Sequence, residues 1–129
     1  MIRGRANSEG QGMGEHFKLS YNARLILATL RVKGPQSRAE IARSLDITPS
    51  TVTRLTGSLI NDGMLYEATD PSRDGQKGYP AKLLVIEPNG LISAGIYVDP
   101  DQIMACLSDL SGEVLSSESL IAPDRSFVA

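Results

Sequence analysis

From Pro49 to Asn61 the chain reads Pro-Ser-Thr-Val-Thr-Arg-Leu-Thr-Gly-Ser-Leu-Ile-Asn and carries no carboxylate. Wound at helical spacing, Val52, Leu55, Thr56 and Leu59 (i, i+3, i+4, i+7) fall on one side, and Ser50, Thr51, Thr53, Arg54, Gly57 and Ser58 on the other. That second face is short, rich in hydroxyls, and holds one arginine and one glycine. Such groups suit a nucleic-acid groove. Hydroxyls bond phosphates or base edges, a guanidinium pairs bidentately with guanine, and a glycine lets a backbone or base approach closely. A carboxylate there would repel a polyanion. Thr48 as N-cap and Pro49 at the first helical position start the helix, and the free N–H groups of its first turn favour a phosphate.

The elements that must position this face are also legible. A first helix is expected from about Ser20 to Lys33, with Leu19, Ala23, Ile26, Leu27 and Leu30 on one side and Gly34-Pro35 as the stop. A second starts at Ser37-Arg38-Ala39-Glu40, a capping box, and ends near Leu45. Asp46-Ile47-Thr48 then makes a tight turn into the Pro49–Asn61 helix, which Gly63 ends. Two short helices joined by a turn of about three residues form a helix-turn-helix. Met64–Ala68 and Lys82–Ile86 read as strands around a turn-rich loop, Asp70–Pro80, whose tip bears Arg73, Gln76 and Lys77. A basic tip on such a hairpin, a wing, can lie along a phosphate backbone or enter the minor groove. Arg38, at the start of the second helix, is expected to touch phosphate. Three further strands follow at Leu91–Val98, Gln102–Asp109 and Glu113–Ile121, with turns at Asp99-Pro100 and Ser111-Gly112.

The expected fold is therefore α+β: a winged helix-turn-helix of three helices and a β-wing, then a short antiparallel three-stranded β-meander. Residues 1–16 are expected to form a disordered N-terminal arm carrying Arg3 and Arg5, residues 17–88 the DNA-binding domain, and residues 89–129 the truncated start of a second domain. Charge divides along similar lines. Residues 1–82 hold 12 Lys/Arg against 8 Asp/Glu, and residues 83–129 hold 1 against 7.

Several classes of function are excluded or unsupported. The only cysteine is Cys106, so neither an internal disulfide nor a multi-cysteine zinc site can form. Cys106 lies in a strand and is read as a packing residue. His16, the only histidine, is read as solvated. Asp99, Asp101 and Asp109 are scattered by strand and turn spacing and read as solvated turn carboxylates, not as a metal site. No Ser/His/Asp set, Walker loop or His-Glu-x-x-His is present, so no catalytic residues, metal or cofactor are expected. With no Trp and 5% aromatics, a stacking platform for single strands is unexpected. No stretch approaches the ~20 apolar residues of a membrane span, and no apolar leader follows Met1–Arg5, so a cytoplasmic location is expected.

Tyr21-Asn22-Ala23-Arg24 through Gly63, followed by the Gly78-Tyr79-Pro80 wing, resembles the N-terminal winged helix of ROK-family (repressor, open reading frame, kinase) transcriptional regulators. The match is strongest at Ser37–Ala42 followed by Thr48–Thr53. Ser93–Val98 and Leu107–Leu115 resemble the first strands of the family's sugar-binding, actin-like ATPase domain. The resemblance covers about residues 20–121. It implies repression of carbohydrate-related genes, relieved or tuned by a sugar effector; because one winged helix reads only a short half-site of double-stranded DNA, a homodimer is expected. Three departures stand out. Gly95–Pro100 lacks the paired glycines of the family's kinase phosphate loop, so ATP is not expected. Tyr79 stands in the wing where these regulators commonly have Arg, leaving Arg73 and Lys77 to serve. The sequence ends at Ala129, short of the family's sugar-contacting residues and zinc motif, so the effector site is expected to be incomplete. The rival expectations are a protein-interaction or oligomerisation module built on the winged helix and exposed strands, and a sugar kinase fragment.

Overall fold

A computed structural model describes residues 18–70, 72 and 81–121. The expected arm at residues 1–16, the wing tip with Arg73, Gln76 and Lys77, Gly78–Pro80 and the tail from Ala122 lie outside the described residues. Three helices come first: α1 (Tyr21–Lys33), α2 (Arg38–Leu45) and α3 (Pro49–Asn61). A two-stranded antiparallel hairpin follows, β1 (Leu65–Thr69) and β2 (Lys82–Ile86). After a 3-10 turn at Pro88–Gly90 comes an antiparallel sheet of β3 (Ser93–Val98), β4 (Gln102–Ser108) and β5 (Val114–Ile121), in that order.

The helix starts are the ones the side chains dictate. Ser20 Oγ accepts from the Ala23 N–H at 3.2 Å. Ser37 Oγ accepts from the Glu40 N–H at 3.3 Å, while Glu40 Oε2 accepts from the Ser37 N–H at 2.8 Å, completing the capping box. The stop of α3 differs in detail from the expectation. Asp62 is the cap, and Gly63 follows it at φ 74°, a left-handed turn that glycine adopts without strain. Its N–H donates to the Ile60 carbonyl.

The core lies among the helices and the inner face of β1–β2. Ile26, Ile41, Val52 and Leu84 are wholly buried, and Leu59, Met64 and Leu65 nearly so. Burial of an aliphatic side chain of this size contributes roughly 1.5–3 kcal/mol. Gln36, between α1 and α2, exchanges two backbone hydrogen bonds with Leu84 and so fastens the helices to the hairpin, a link with no signal in the sequence.

The β3–β5 sheet is well paired and poorly covered. Its register sets Ala94, Ile96, Val98, Ile103, Ala105, Leu107 and Leu120 on one face, and every residue of β3 and β5 is exposed. Cys106 is exposed too, so packing within the described residues does not account for it. One exception ties the sheet to the helices. The β4–β5 turn delivers Leu110 into the helical core, its N–H donating to the Pro88 carbonyl at 3.0 Å, and Arg31 of α1 lies against Gly112 of the same turn. Gly90 also packs directly on the Gly63 carbonyl, leaving no room for a Cβ. No described helix is long and apolar enough to cross a membrane.

Candidate nucleic-acid interface

The turn into α3 fixes the candidate site. Asp46 caps α2 in the left-handed region (φ 53°), and its N–H donates to the Ala42 carbonyl. Ile47 is partly buried against the core, which sets the direction in which Thr48 begins α3. The Thr48 hydroxyl accepts from the Thr51 N–H at 3.4 Å and donates to Thr51 Oγ1 at 2.8 Å, with Ser50 Oγ 3.3 Å away. Thr48, Ser50 and Thr51 are thus gathered into one hydroxyl cluster around the start of α3.

Further along α3, Val52, Leu55, Thr56 and Leu59 are buried, as the spacing requires, and Ser50, Thr53, Arg54, Gly57 and Ser58 are exposed. Arg54 has no ion-pair partner among the described residues, so its guanidinium is available to an incoming anion. At Gly57 an added Cβ would meet nothing within 4 Å. Glycine inside a helix costs about 0.5–1 kcal/mol relative to alanine. The packing of this fold does not require that cost.

Arg54 and Ser58 also line a cavity of about 500 Å³ between α3 and the start of α1. Lys18 lines it as well. This second cation on the cavity that Arg54 lines has no signal in the sequence. It precedes the first helix, and only the packing of α1 on α3 brings it there.

Arg38 is placed differently from the other candidates. Its Nε donates to Thr56 Oγ1 at 3.0 Å, and its NH1 pairs with Glu67 Oε1 at 2.7 Å. Lys82 Nζ lies 2.9 Å from the other oxygen of Glu67. Arg38 therefore bridges α3 and β1 through Thr56 and Glu67, with its side chain 30% exposed. The hydrogen bonds from Lys82 and Arg38 hold the Glu67 carboxyl below the ordinary carboxylate range.

Of the other carboxylates singled out in the sequence, Asp99 and Asp109 close turns. Asp99 accepts from the N–H groups of Asp101 and Gln102, each at 2.8 Å, which lowers its pKa. Asp109 accepts from the Ser111 hydroxyl at 2.6 Å and the Glu113 N–H at 3.0 Å, with the same effect. It is buried, not solvated as expected, because Leu110 beside it is drawn into the core. No group of three His, Cys, Asp or Glu converges among the described residues.

Comparison with known proteins adds to this geometry. Residues 19–66 match the winged helix-turn-helix DNA-binding family. The chain is similar to the DNA-binding transcriptional dual regulator NagC of Escherichia coli, at 29% identity over 81% of this chain and 25% of the relative. It is similar to the xylose repressor of Caldicellulosiruptor bescii, at 34% identity over 82% of this chain and 26% of the relative. Among solved structures, a ROK family transcriptional regulator homologous to the E. coli Mlc protein superposes with a TM-score of 0.59 at 24% identity, over 80% of this chain and 26% of the other. The chain thus spans about a quarter of the length of these relatives.

Proposed function

We propose that the chain, whose residues 19–66 match the winged helix-turn-helix DNA-binding family, is a regulator of the ROK type that binds double-stranded DNA sequence-specifically and represses transcription. The observation that carries this reading is the outer face of α3. It has an Arg54 without an ion-pair partner among the described residues, a hydroxyl cluster at the helix start, a glycine whose missing Cβ would meet nothing, and no carboxylate from Pro49 to Asn61. In this reading α3 enters the major groove. Arg54 and Thr53 face base edges, Ser50, Thr51 and Thr48 take phosphates at the helix N-terminus, and Gly57 admits the backbone. Arg73, Gln76 and Lys77 of the wing reach the backbone or minor groove.

The DNA-reading unit spans residues 17–88, and a second unit opens at residue 89. One winged helix reads only a short half-site, so the protein acts as a homodimer on a pseudo-palindrome. It is a cytoplasmic regulator and not an enzyme. The kinship with a xylose repressor points to carbohydrate-related genes as targets.

Selection from a random duplex pool at moderate salt tests the reading. The wild-type chain should enrich a two-fold-related motif, and Arg54→Ala should relax one position of it by about 1–3 kcal/mol. Weak binding without sequence preference, vanishing as salt rises, would overturn it. The exposed apolar face of β3–β5 favours a second reading, in which this sheet is an association surface. Sedimentation across a concentration series tests that, and a monomer at all concentrations sinks it.

A further inference from the structure

The wing hairpin turns one carboxylate toward the helices. Glu67 sits opposite Leu84 in the β1–β2 register, on the same face as the buried Leu65 and Leu84. Its two oxygens are divided between Arg38 of α2, at 2.7 Å, and Lys82 of β2, at 2.9 Å. Arg38 meanwhile spans to α3, its Nε donating to the hydroxyl of Thr56. Thr56 is wholly buried, and its hydroxyl donates to the Val52 carbonyl at 2.8 Å. One line of polar contacts therefore runs from β2 through β1 and α2 into the buried side of the helix whose other side is the candidate reading face.

Two properties of this line bear on recognition. The first is charge. Arg38 and Lys82 are both cations, and one carboxylate of the hairpin pairs with both. Cations free to meet phosphates raise affinity for every DNA sequence alike and carry no base information. The second is geometry. The planar guanidinium meets Thr56 through Nε and Glu67 through NH1 at once, so it sets the distance between the wing and α3. A lysine ammonium is a point charge without that fork.

We propose that Glu67 is a specificity-determining residue of the protein–DNA contact, resting on the DNA-binding reading above: it keeps Arg38 and Lys82 off the phosphates and, through Arg38 and Thr56, fixes the wing against the reading helix. Arg38 is then a positioning residue and not the phosphate contact that its place at the start of α2 suggests.

The test uses the full chain with two duplexes, the sequence enriched from the random pool and a scrambled one, each titrated over a range of salt. Thermal unfolding is recorded on the same samples. Glu67→Gln should bind the scrambled duplex more tightly, with a salt slope steeper by about one to two as the freed cations displace counterions. Its preference for the enriched duplex should fall by about tenfold, the size of one misplaced base contact. Arg38→Lys keeps the charge and Glu67 but loses the fork. It should lower the preference while leaving the salt slope at the wild-type value, and it carries the test if Glu67→Gln does not fold. A folded Glu67→Gln with wild-type slope and wild-type preference overturns the proposal. So does an equal loss of affinity for both duplexes, which is the signature of a merely structural residue. A wild-type chain that binds neither duplex overturns the DNA-binding reading together with this inference, whereas wild-type binding with an unaltered Glu67→Gln overturns this inference alone.

Discussion

The winged helix and the β3–β5 sheet draw on the same kinds of side chain and leave them in opposite conditions. In the first, Ile26, Ile41, Val52 and Leu84 are wholly buried. In the second, Ile96, Val98, Ile103 and Leu120 remain between 42 and 74% exposed. The sheet has its full complement of cross-strand pairs, yet pairing fills backbone hydrogen bonds and covers no face. The helices have an inner stripe each and close those stripes on one another and on β1–β2. The difference shows that strand pairing and core formation are separate requirements. The winged helix meets both, and the sheet, among the described residues, meets one.

The comparison breaks first at the core. Ile41→Ala removes a wholly buried side chain and should cost about 2–5 kcal/mol in a denaturant-unfolding experiment. Ile96→Ala in β3 should cost under about 0.5 kcal/mol, the usual range for an exposed position away from special features. Equal losses at the two sites would show that the sheet face is covered in solution and that the contrast belongs to the isolated chain.

Leu110 is the point where the two regions meet. It is the one buried hydrophobic residue beyond Leu84 among those described, and it enters the helical core from the β4–β5 turn. Leu110→Ala should cost about 2 kcal/mol, at the low end for a core leucine because the site is at the margin. Amide hydrogen exchange should then quicken in β3–β5 more than in α1–α3. Uniform quickening would mean that the sheet and helices open as one unit and not as two.

These same two regions differ in how much of them the sequence discloses. The bounds of α1, α2 and α3 follow from Ser20, Ser37 with Glu40, and Thr48 with Pro49. Each cap acts within three residues of itself, so local order suffices to read it. The outer face of α3 follows from the 3.6-residue period for the same reason. The commitment of Arg38 to Thr56 and Glu67 is different in kind. Its partners lie 18 and 29 positions away, and only the packing of α2 on α3 and on the wing brings them within reach. Read locally, Arg38 is a basic residue at a helix start and so a phosphate ligand. In the fold its side chain also bridges Thr56 and Glu67. Lys18 shows the reverse case, a residue silent in the sequence that the docking of α1 sets on the cavity Arg54 also lines. The burial of Leu110 and Asp109 and the exposure of Cys106 escape sequence reading for one further reason. Alternation in a strand tells which residues share a face but not whether anything covers that face.

Gly57 sharpens the contrast between the inner and outer faces of a single helix. Since open space surrounds its missing Cβ, Gly57→Ala should stabilise the chain by about 0.5–1 kcal/mol through helix propensity. The same methyl group should weaken binding to the enriched duplex if DNA approaches the helix there. Opposite signs from thermal unfolding and from DNA titration are the expected result. A variant that is more stable and binds equally well would remove Gly57 from the interface while leaving Arg54 in it.

The smallest expected effect is the pH dependence of the Glu67 ion pairs, and its sign follows from proton linkage. Hydrogen bonds from Lys82 and Arg38 lower the folded pKa of Glu67 below its ordinary value of 4.5. The unfolded chain therefore binds the proton more readily, and stability rises with pH across that interval. The contribution is complete above about pH 5 and is lost as pH falls through the folded value. Its size should be under about 1 kcal/mol, because the Glu67 side chain remains 27% exposed and solvent screens the pair. Asp99 and Asp109, lowered by the N–H and O–H groups of their own turns, add dependences of the same sign from the sheet. Subtracting the profile of Glu67→Gln, which keeps those two aspartates, isolates the winged-helix part. The stability difference between wild type and variant should stay level from pH 7 to about 5 and then narrow. A difference that stays level down to pH 3 would mean that the carboxylate is no better stabilised in the fold than in the unfolded chain, and that Arg38 and Lys82 are not held to it in solution.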